Sequence, residues 1–128
     1  MKGPKICLLV DDDPDDQEVF LTALSDVSSS ALCLVAADGD RALQLLHNED
    51  TTPDYIFLDL NMPRMNGFEF LAAMKKSKIL RDIPVIVYST TSLPSQVEQA
   101  KKLGATEFFT KTYKYKELCA LLRRYFGE

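Results

Sequence analysis

Residues 6–16 read ICLLVDDDPDD, five apolar positions followed at once by Asp11, Asp12, Asp13, Pro14, Asp15 and Asp16. A short continuous apolar run of this kind is a strand buried on both faces, and such strands belong to parallel sheets covered by helices. Pro14 suits the first position of a helix with Asp13 before it as the cap, and Val19, Phe20, Ala23 and Leu24 then share one face. The stretch is a strand, a charged turn and the start of an amphipathic helix.

The same alternation recurs along the chain every 20 to 30 residues or so, roughly the period of βα units. Strands are expected at Ile6 to Val10, Leu32 to Ala36, Tyr55 to Leu58, Val85 to Tyr88 and Glu107 to Thr110. A second helix, from about Asp40 to His47, carries Ala42, Leu43, Leu45 and Leu46; Gly67 opens a third with Phe70, Leu71 and Met74. Ser95 to Glu98, SQVE, has the spacing of a capping box for the fourth, and Gly104 suits its end. Leu118, Leu121, Leu122 and Tyr125 give the fifth helix its apolar stripe. Right-handed crossovers then favour an α/β fold, a doubly wound five-stranded parallel sheet of order 2-1-3-4-5 with helices on both faces, flavodoxin-like in topology. Ligands bind such sheets beyond the carboxyl ends of the strands, where the winding reverses, here between strands 1 and 3.

The bulk properties narrow the function classes. With 128 residues and 46% hydrophobic content, one domain over 1–128 can bury a proper core. A net charge of -4, with lysine and arginine scattered and at most paired as in Lys75-Lys76, Lys101-Lys102 and Arg123-Arg124, offers nothing to nucleic acid. The N-terminal apolar run is too short for a signal peptide or a membrane span, so a soluble cytoplasmic protein is expected. Cys7, Cys33 and Cys119 are odd in number and lie far apart in apolar surroundings, so they read as reduced core thiols, and His47 as surface decoration.

The residues just beyond each apolar run carry the chemistry. Strand 1 ends in Asp11 and Asp12, strand 3 in Asp59, strand 4 in Ser89 and strand 5 in Lys111. In the order 2-1-3-4-5 these four strands are neighbours about 4.8 Å apart, so the groups form one row. Carboxylates held so close repel unless a cation intervenes, and oxygen ligands without histidine or cysteine favour Mg2+ or Mn2+ over zinc. Asp11 and Asp12 therefore read as metal ligands placed where burial stops. Asp59, beside both the metal and Lys111, is placed to attack a phosphoryl group, with Ser89 as a hydrogen-bond donor to the product.

Each feature also has a plainer reading. Acids before a helix ordinarily cap it and favour its dipole, and Asp13, Asp15, Asp16 and Glu18 are read that way. Asp59 alone could form a turn before Asn61-Met62-Pro63, and Lys111 alone could be a solvated strand end. Four neighbouring strand ends with complementary groups are harder to reduce to separate accidents.

These residues resemble a known family. The segments ICLLVDDDP, PDYIFLDLNMPRMNGFEFL, IPVIVYSTT and GATEFFTK, spread from Lys5 to about Tyr125, are similar to the receiver domain of response regulators in two-component signalling, single-domain chemotaxis receivers included. The resemblance implies that Asp59 accepts a phosphoryl group from a histidine kinase or a histidine phosphotransfer protein. It implies that Asp12, Asp59 and the backbone carbonyl of Asn61 bind Mg2+, with Asp11 acting largely through a metal-bound water. Ser89 and Lys111 would contact the phosphoryl oxygens, Phe108 would be the aromatic that rotates on activation, and Asn61 and Thr91 would tune hydrolysis. The output surface would span the fourth helix, fifth strand and fifth helix, about Ser95 to Phe126, serving an unknown target or a relay, in a monomer or weak homodimer.

One departure stands out. Receivers usually follow the lysine with a cis proline, whereas here Lys111 precedes Thr112. A cis bond without proline costs about 2.5 to 4 kcal/mol, so either that strain is kept or the loop is rebuilt in trans. Tyr113 and Tyr115 are candidates for compensating packing, or simply loop and helix anchors.

Two other functions compete. A Mg2+-dependent small-molecule phosphatase of the haloacid dehalogenase type needs a second carboxylate two residues after its nucleophile, and Asn61 supplies an amide that cannot transfer protons. A flavodoxin-like cofactor binder wants N–H donors in its first loop, where the aspartates instead repel an anion.

Overall fold

The computed structural model describes residues 4–48, 52–90, 93–112 and 114–127. Its strands are β1 (Ile6–Val10), β2 (Leu32–Ala36), β3 (Tyr55–Leu58), β4 (Val85–Ser89) and β5 (Glu107–Thr110), all parallel and ordered β2-β1-β3-β4-β5. Burial follows that order. The central strands β1, β3 and β4 are buried nearly throughout, while β2 and β5 at the edges are largely half-exposed.

The helices are α1 (Pro14–Val27), α2 (Gly39–Asn48), α3 (Gly67–Lys76), α4 (Pro94–Lys102) and α5 (Tyr115–Phe126). Because side chains alternate along a strand, each central strand feeds two cores. Leu8, Val10, Ile56, Leu58, Val85 and Val87 pack with Ala42, Phe70, Leu71 and Ala100 of α2, α3 and α4. On the other face Cys7, Leu9, Phe57, Ile86 and Tyr88 pack with Phe20, Ala23 and Leu24 of α1 and Leu118 and Leu122 of α5.

The first helix begins as its sequence suggests: Pro14 is its first residue, and the Asp13 carboxylate accepts from the N–H groups of Asp15 and Asp16. Phe20, Ala23 and Leu24 are buried, but Val19 is exposed, so the apolar face is narrower than expected. The fourth helix begins differently from the expected capping box. Pro94 takes the first helical position with Leu93 before it, since proline has no N–H to satisfy and a fixed φ suited to that place. Ser95 is thereby drawn inside the helix. At its other end Gly104, at φ 102°, donates to Lys101 while Ala105 donates to Ala100, the paired bonds of a glycine-terminated helix.

Cys7 and Cys119 are buried, Cys33 is half-buried, and all three are free thiols. His47 is exposed on α2. No peptide bond among the described residues is cis, so Lys111–Thr112 is trans and the loop after β5 takes the rebuilt form. Thr91 and Tyr113 lie outside the described residues, and Tyr115 opens α5, where its hydroxyl donates to Asp26.

Candidate phosphoryl-acceptor and metal site

Backbone hydrogen bonds continue just past the strands and hold the tips in place. Asp11 N–H donates to Ala36 at 3.1 Å, Asp59 N–H to Val10 at 2.9 Å and Lys111 N–H to Ser89 at 2.7 Å. Each side chain thus leaves from an ordered backbone. The alternation along the strands continues as well: Asp11, Asp59 and Lys111 follow the phase of the α1 and α5 face, and Ser89 that of the opposite face.

Asp11 is 2% exposed and Asp59 7%, whereas Asp12 projects into solvent. One carboxylate oxygen from each of the three lies within 4.8 Å of the others. Asp11 uses both oxygens already. Its Oδ1 accepts from the Asp13 N–H at 2.9 Å and its Oδ2 from Lys111 Nζ at 2.8 Å. Asp59 Oδ1 takes only a long bond, 3.4 Å, from the Asn61 N–H, and its Oδ2 lies 3.8 Å from Lys111 Nζ.

The charges crowd one another in a buried place. Burial pushes the Asp59 carboxyl above its ordinary value, the Lys111 ammonium opposes that rise, and the Asp11 carboxylate adds to it. Burial likewise raises Asp11, against hydrogen bonds from Lys111 and Asp13. For Lys111 burial disfavours the ammonium, but the bonds to Asp11 and Asp16 outweigh it and hold the pKa above the usual lysine range. Three carboxylates and no nitrogen or sulfur donor fit Mg2+ or Mn2+.

Ser89 is completely buried at the end of β4, yet its hydroxyl finds no hydrogen-bond partner among the described residues. It lies near enough to Asp59 to favour that carboxylate slightly. An unpaired buried hydroxyl is costly and rare, and it marks a place where an acceptor is missing. Phe108 lies on β5 beside Val87 of β4, half-buried against the core of α2, α3 and α4.

The loop that presents Asp59 is held by a close approach. A side chain on Gly67 would begin 2.7 Å from the Leu60 Cα and 2.8 Å from the Asp59 carbonyl oxygen. Only glycine lets α3 start there, with Gly67 N–H donating to Leu60 at 3.0 Å. Between them the loop turns through Arg64 at φ 64°, a left-handed conformation uncommon outside glycine. Asn66 and Glu69 then close a reciprocal cap on α3.

All the residues singled out from strand ends converge here. Asp16, read from sequence as a helix-capping acid, belongs here too: its Oδ2 accepts from Lys111 Nζ at 2.8 Å. Gln17 also turns inward, its Nε2 donating to the Asp11 carbonyl at 2.6 Å. A signal for both existed in the helix period. Asp16 and Gln17 lie four and three residues before buried Phe20, on the same face and one turn nearer the strand tips.

The doubly wound sheet thus carries acids at its switch point between β1 and β3, with a lysine reaching them from the tip of β5. Residues 7–123 match the response regulator receiver domain, and the chain belongs to that family, whose members are phosphorylated on aspartate in two-component signalling. The two-component response regulator ORR11 of Oryza sativa subsp. indica is 34% identical over 123 residues, covering 95% of this chain and 81% of that protein. For two other curated relatives the chain spans only 15% and 50% of their length. Among solved structures, the phosphorylated cyanobacterial phytochrome response regulator RcpA is similar with a TM-score of 0.87 at 28% identity, covering 95% of this chain and 91% of that one. The Mn2+-bound form of response regulator Rcp1 follows at 0.83 and 28% identity, covering 94% and 91%.

Proposed function

We propose that this chain is a phosphorylation switch that takes a phosphoryl group on Asp59 from the phosphohistidine of a kinase or a histidine phosphotransfer protein. The observation that carries the reading is the buried Asp59 carboxylate, flanked by Asp11, Asp12 and Lys111 and lying near a buried Ser89 hydroxyl that has no acceptor among the described residues. In the transfer an Asp59 oxygen forms a bond to phosphorus as the phosphorus–nitrogen bond breaks, and the imidazole departs with the electron pair. Asp59 must be ionised to attack, and Lys111 helps keep it so.

Mg2+, or Mn2+, would be held by Asp12, Asp59 and the backbone carbonyl of Asn61. Asp11, whose oxygens are both engaged, would act through a water. When bound, the ion neutralises charge on the phosphoryl oxygens. Lys111 and Ser89 donate to the remaining oxygens, which gives the Ser89 hydroxyl its missing acceptor. Phe108 then follows Ser89 inward, and the surface of α4, β5 and α5 changes for an output protein. Moving such a switch from mostly off to mostly on takes about 5.5 kcal/mol of differential stabilisation. The setting is the cytoplasm, with residues 1–128 acting as one receiver unit, monomeric or weakly dimeric.

The test is incubation with Mg2+ and acetyl phosphate followed by intact-mass measurement. A covalent phosphoryl adduct is expected on the wild type and not on Asp59→Asn; an equal adduct on both removes Asp59 from the role.

A further inference from the structure

We propose that Asp16 is a positioning residue for Lys111: it parks the ammonium against the first turn of α1, away from Asp59, and so slows entry of a phosphoryl group. This rests on the phosphoryl-acceptor reading of Asp59. Lys111 Nζ is 2.8 Å from Asp11 and 2.8 Å from Asp16, but 3.8 Å from Asp59, beyond hydrogen-bond range. The lysine is bonded to two carboxylates and merely near the third.

Capping does not explain the placement of Asp16. The Asp13 carboxylate already accepts from the N–H groups of Asp15 and Asp16, leaving the Asp16 side chain free to turn to Lys111. The Asp16 side chain is 43% exposed, but that of Lys111 is only 11% exposed and passes the Tyr88 ring at 6.0 Å from its centroid. The pair is therefore screened less than one lying wholly in solvent.

A phosphoryl group on Asp59 brings almost two negative charges and three acceptor oxygens. Lys111 then turns toward Asp59 and away from α1, where it lines a cavity of about 360 Å³ with Asp16 and Tyr88. Asp11 sits on a strand tip beside Asp59 and keeps its contact during that motion. Asp16 sits on the helix and loses its own. A contact made in the resting state and given up on the way to transfer slows the reaction.

The experiment follows phosphorylation by acetyl phosphate with Mg2+ for wild type, Asp16→Asn, Asp16→Glu and Asp15→Asn. Asp16→Asn should be phosphorylated about two- to fivefold faster. Asp16→Glu should return toward the wild-type rate. Asp15→Asn removes the same charge from the same helical turn and should leave the rate unchanged. An Asp16→Asn rate at or below wild type overturns the proposal, as does an equal acceleration by Asp15→Asn, which would indicate a general field. If the wild type is phosphorylated and Asp16→Asn is not faster, this inference alone fails; if the wild type takes no phosphoryl group on Asp59, both readings fall.

Discussion

Asp11 and Lys111 stand 100 residues apart in the chain and 2.8 Å apart in the fold. They leave from the tips of β1 and β5, with the tips of β3 and β4 between them. The pair spans the row of strand ends, and Asp59 lies within it. Its energetics govern what happens when any member is removed.

Lys111→Met leaves the Asp11 carboxylate buried without its cation. Breaking such a pair costs about 3 kcal/mol at neutral pH, read as a lower denaturant midpoint. The Asp11 carboxyl is already raised by burial, and losing the opposing ammonium raises it further. A carboxyl that holds its proton more firmly when folded loses stability as pH rises through its folded pKa. The cost should therefore be largest near pH 7 and shrink toward pH 4. A penalty independent of pH would assign it to lost packing instead.

Magnesium should stabilise the folded chain, and more so as pH rises. Without metal, the raised carboxyls of Asp11 and Asp59 make stability fall as pH climbs from about 4, the ordinary aspartate range, through their folded pKa values. A cation competes with those protons and recovers the loss. At a hundred times its dissociation constant it contributes about 2.7 kcal/mol, visible as a higher melting temperature. Asp12→Asn should abolish that gain and leave the metal-free protein at least as stable as wild type, since one of three crowded charges is gone.

Ser89→Ala separates stability from switching. Among the described residues the hydroxyl is buried without a partner, so its removal should leave stability unchanged or higher by up to about 1 kcal/mol in urea unfolding. The extra stability gained on phosphorylation should meanwhile shrink, because a donor to the phosphoryl group is missing. A loss of more than about 1 kcal/mol in the unphosphorylated protein would mean that the hydroxyl does have a partner.

Gly67→Ala tests the loop. The new methyl would meet backbone atoms of Leu60 and Asp59, which cannot rotate aside as a side chain can. A cost of about 1 to 3 kcal/mol is expected, along with slower phosphoryl uptake as Asp59 shifts. Gly104→Ala makes a useful contrast: its Cβ meets open space, so its cost comes from positive φ alone, and uptake should be unchanged.

Much of this was legible because apolar runs and helix periods are local signals. The three central strands are nearly unbroken apolar runs because both their faces are covered, and the residue that ends each run is where covering stops. Asp11, Asp59, Ser89 and Lys111 could be named for that reason. Val19 is exposed although it shares the phase of Phe20, because helical phase says which side a residue faces but not how far the opposing surface extends. At the start of α4, Ser95 and Glu98 have cap spacing, but Pro94 has the stronger steric claim on the first turn.

The amino-acid sequence alone determined the sheet, its likeness to receiver domains and the row of chemical groups at its edge, since burial pattern and strand order follow from short-range periodicity and crossover handedness. Tertiary structure decided how those groups divide their partners. Lys111 is shared between Asp11 and Asp16 and held off Asp59 by distances of about an ångström, and such distances depend on how α1 sits against strand tips far away in sequence. Electrostatic pairing acts through space, so a carboxylate read as a helix cap became a partner of the lysine only once the chain was folded.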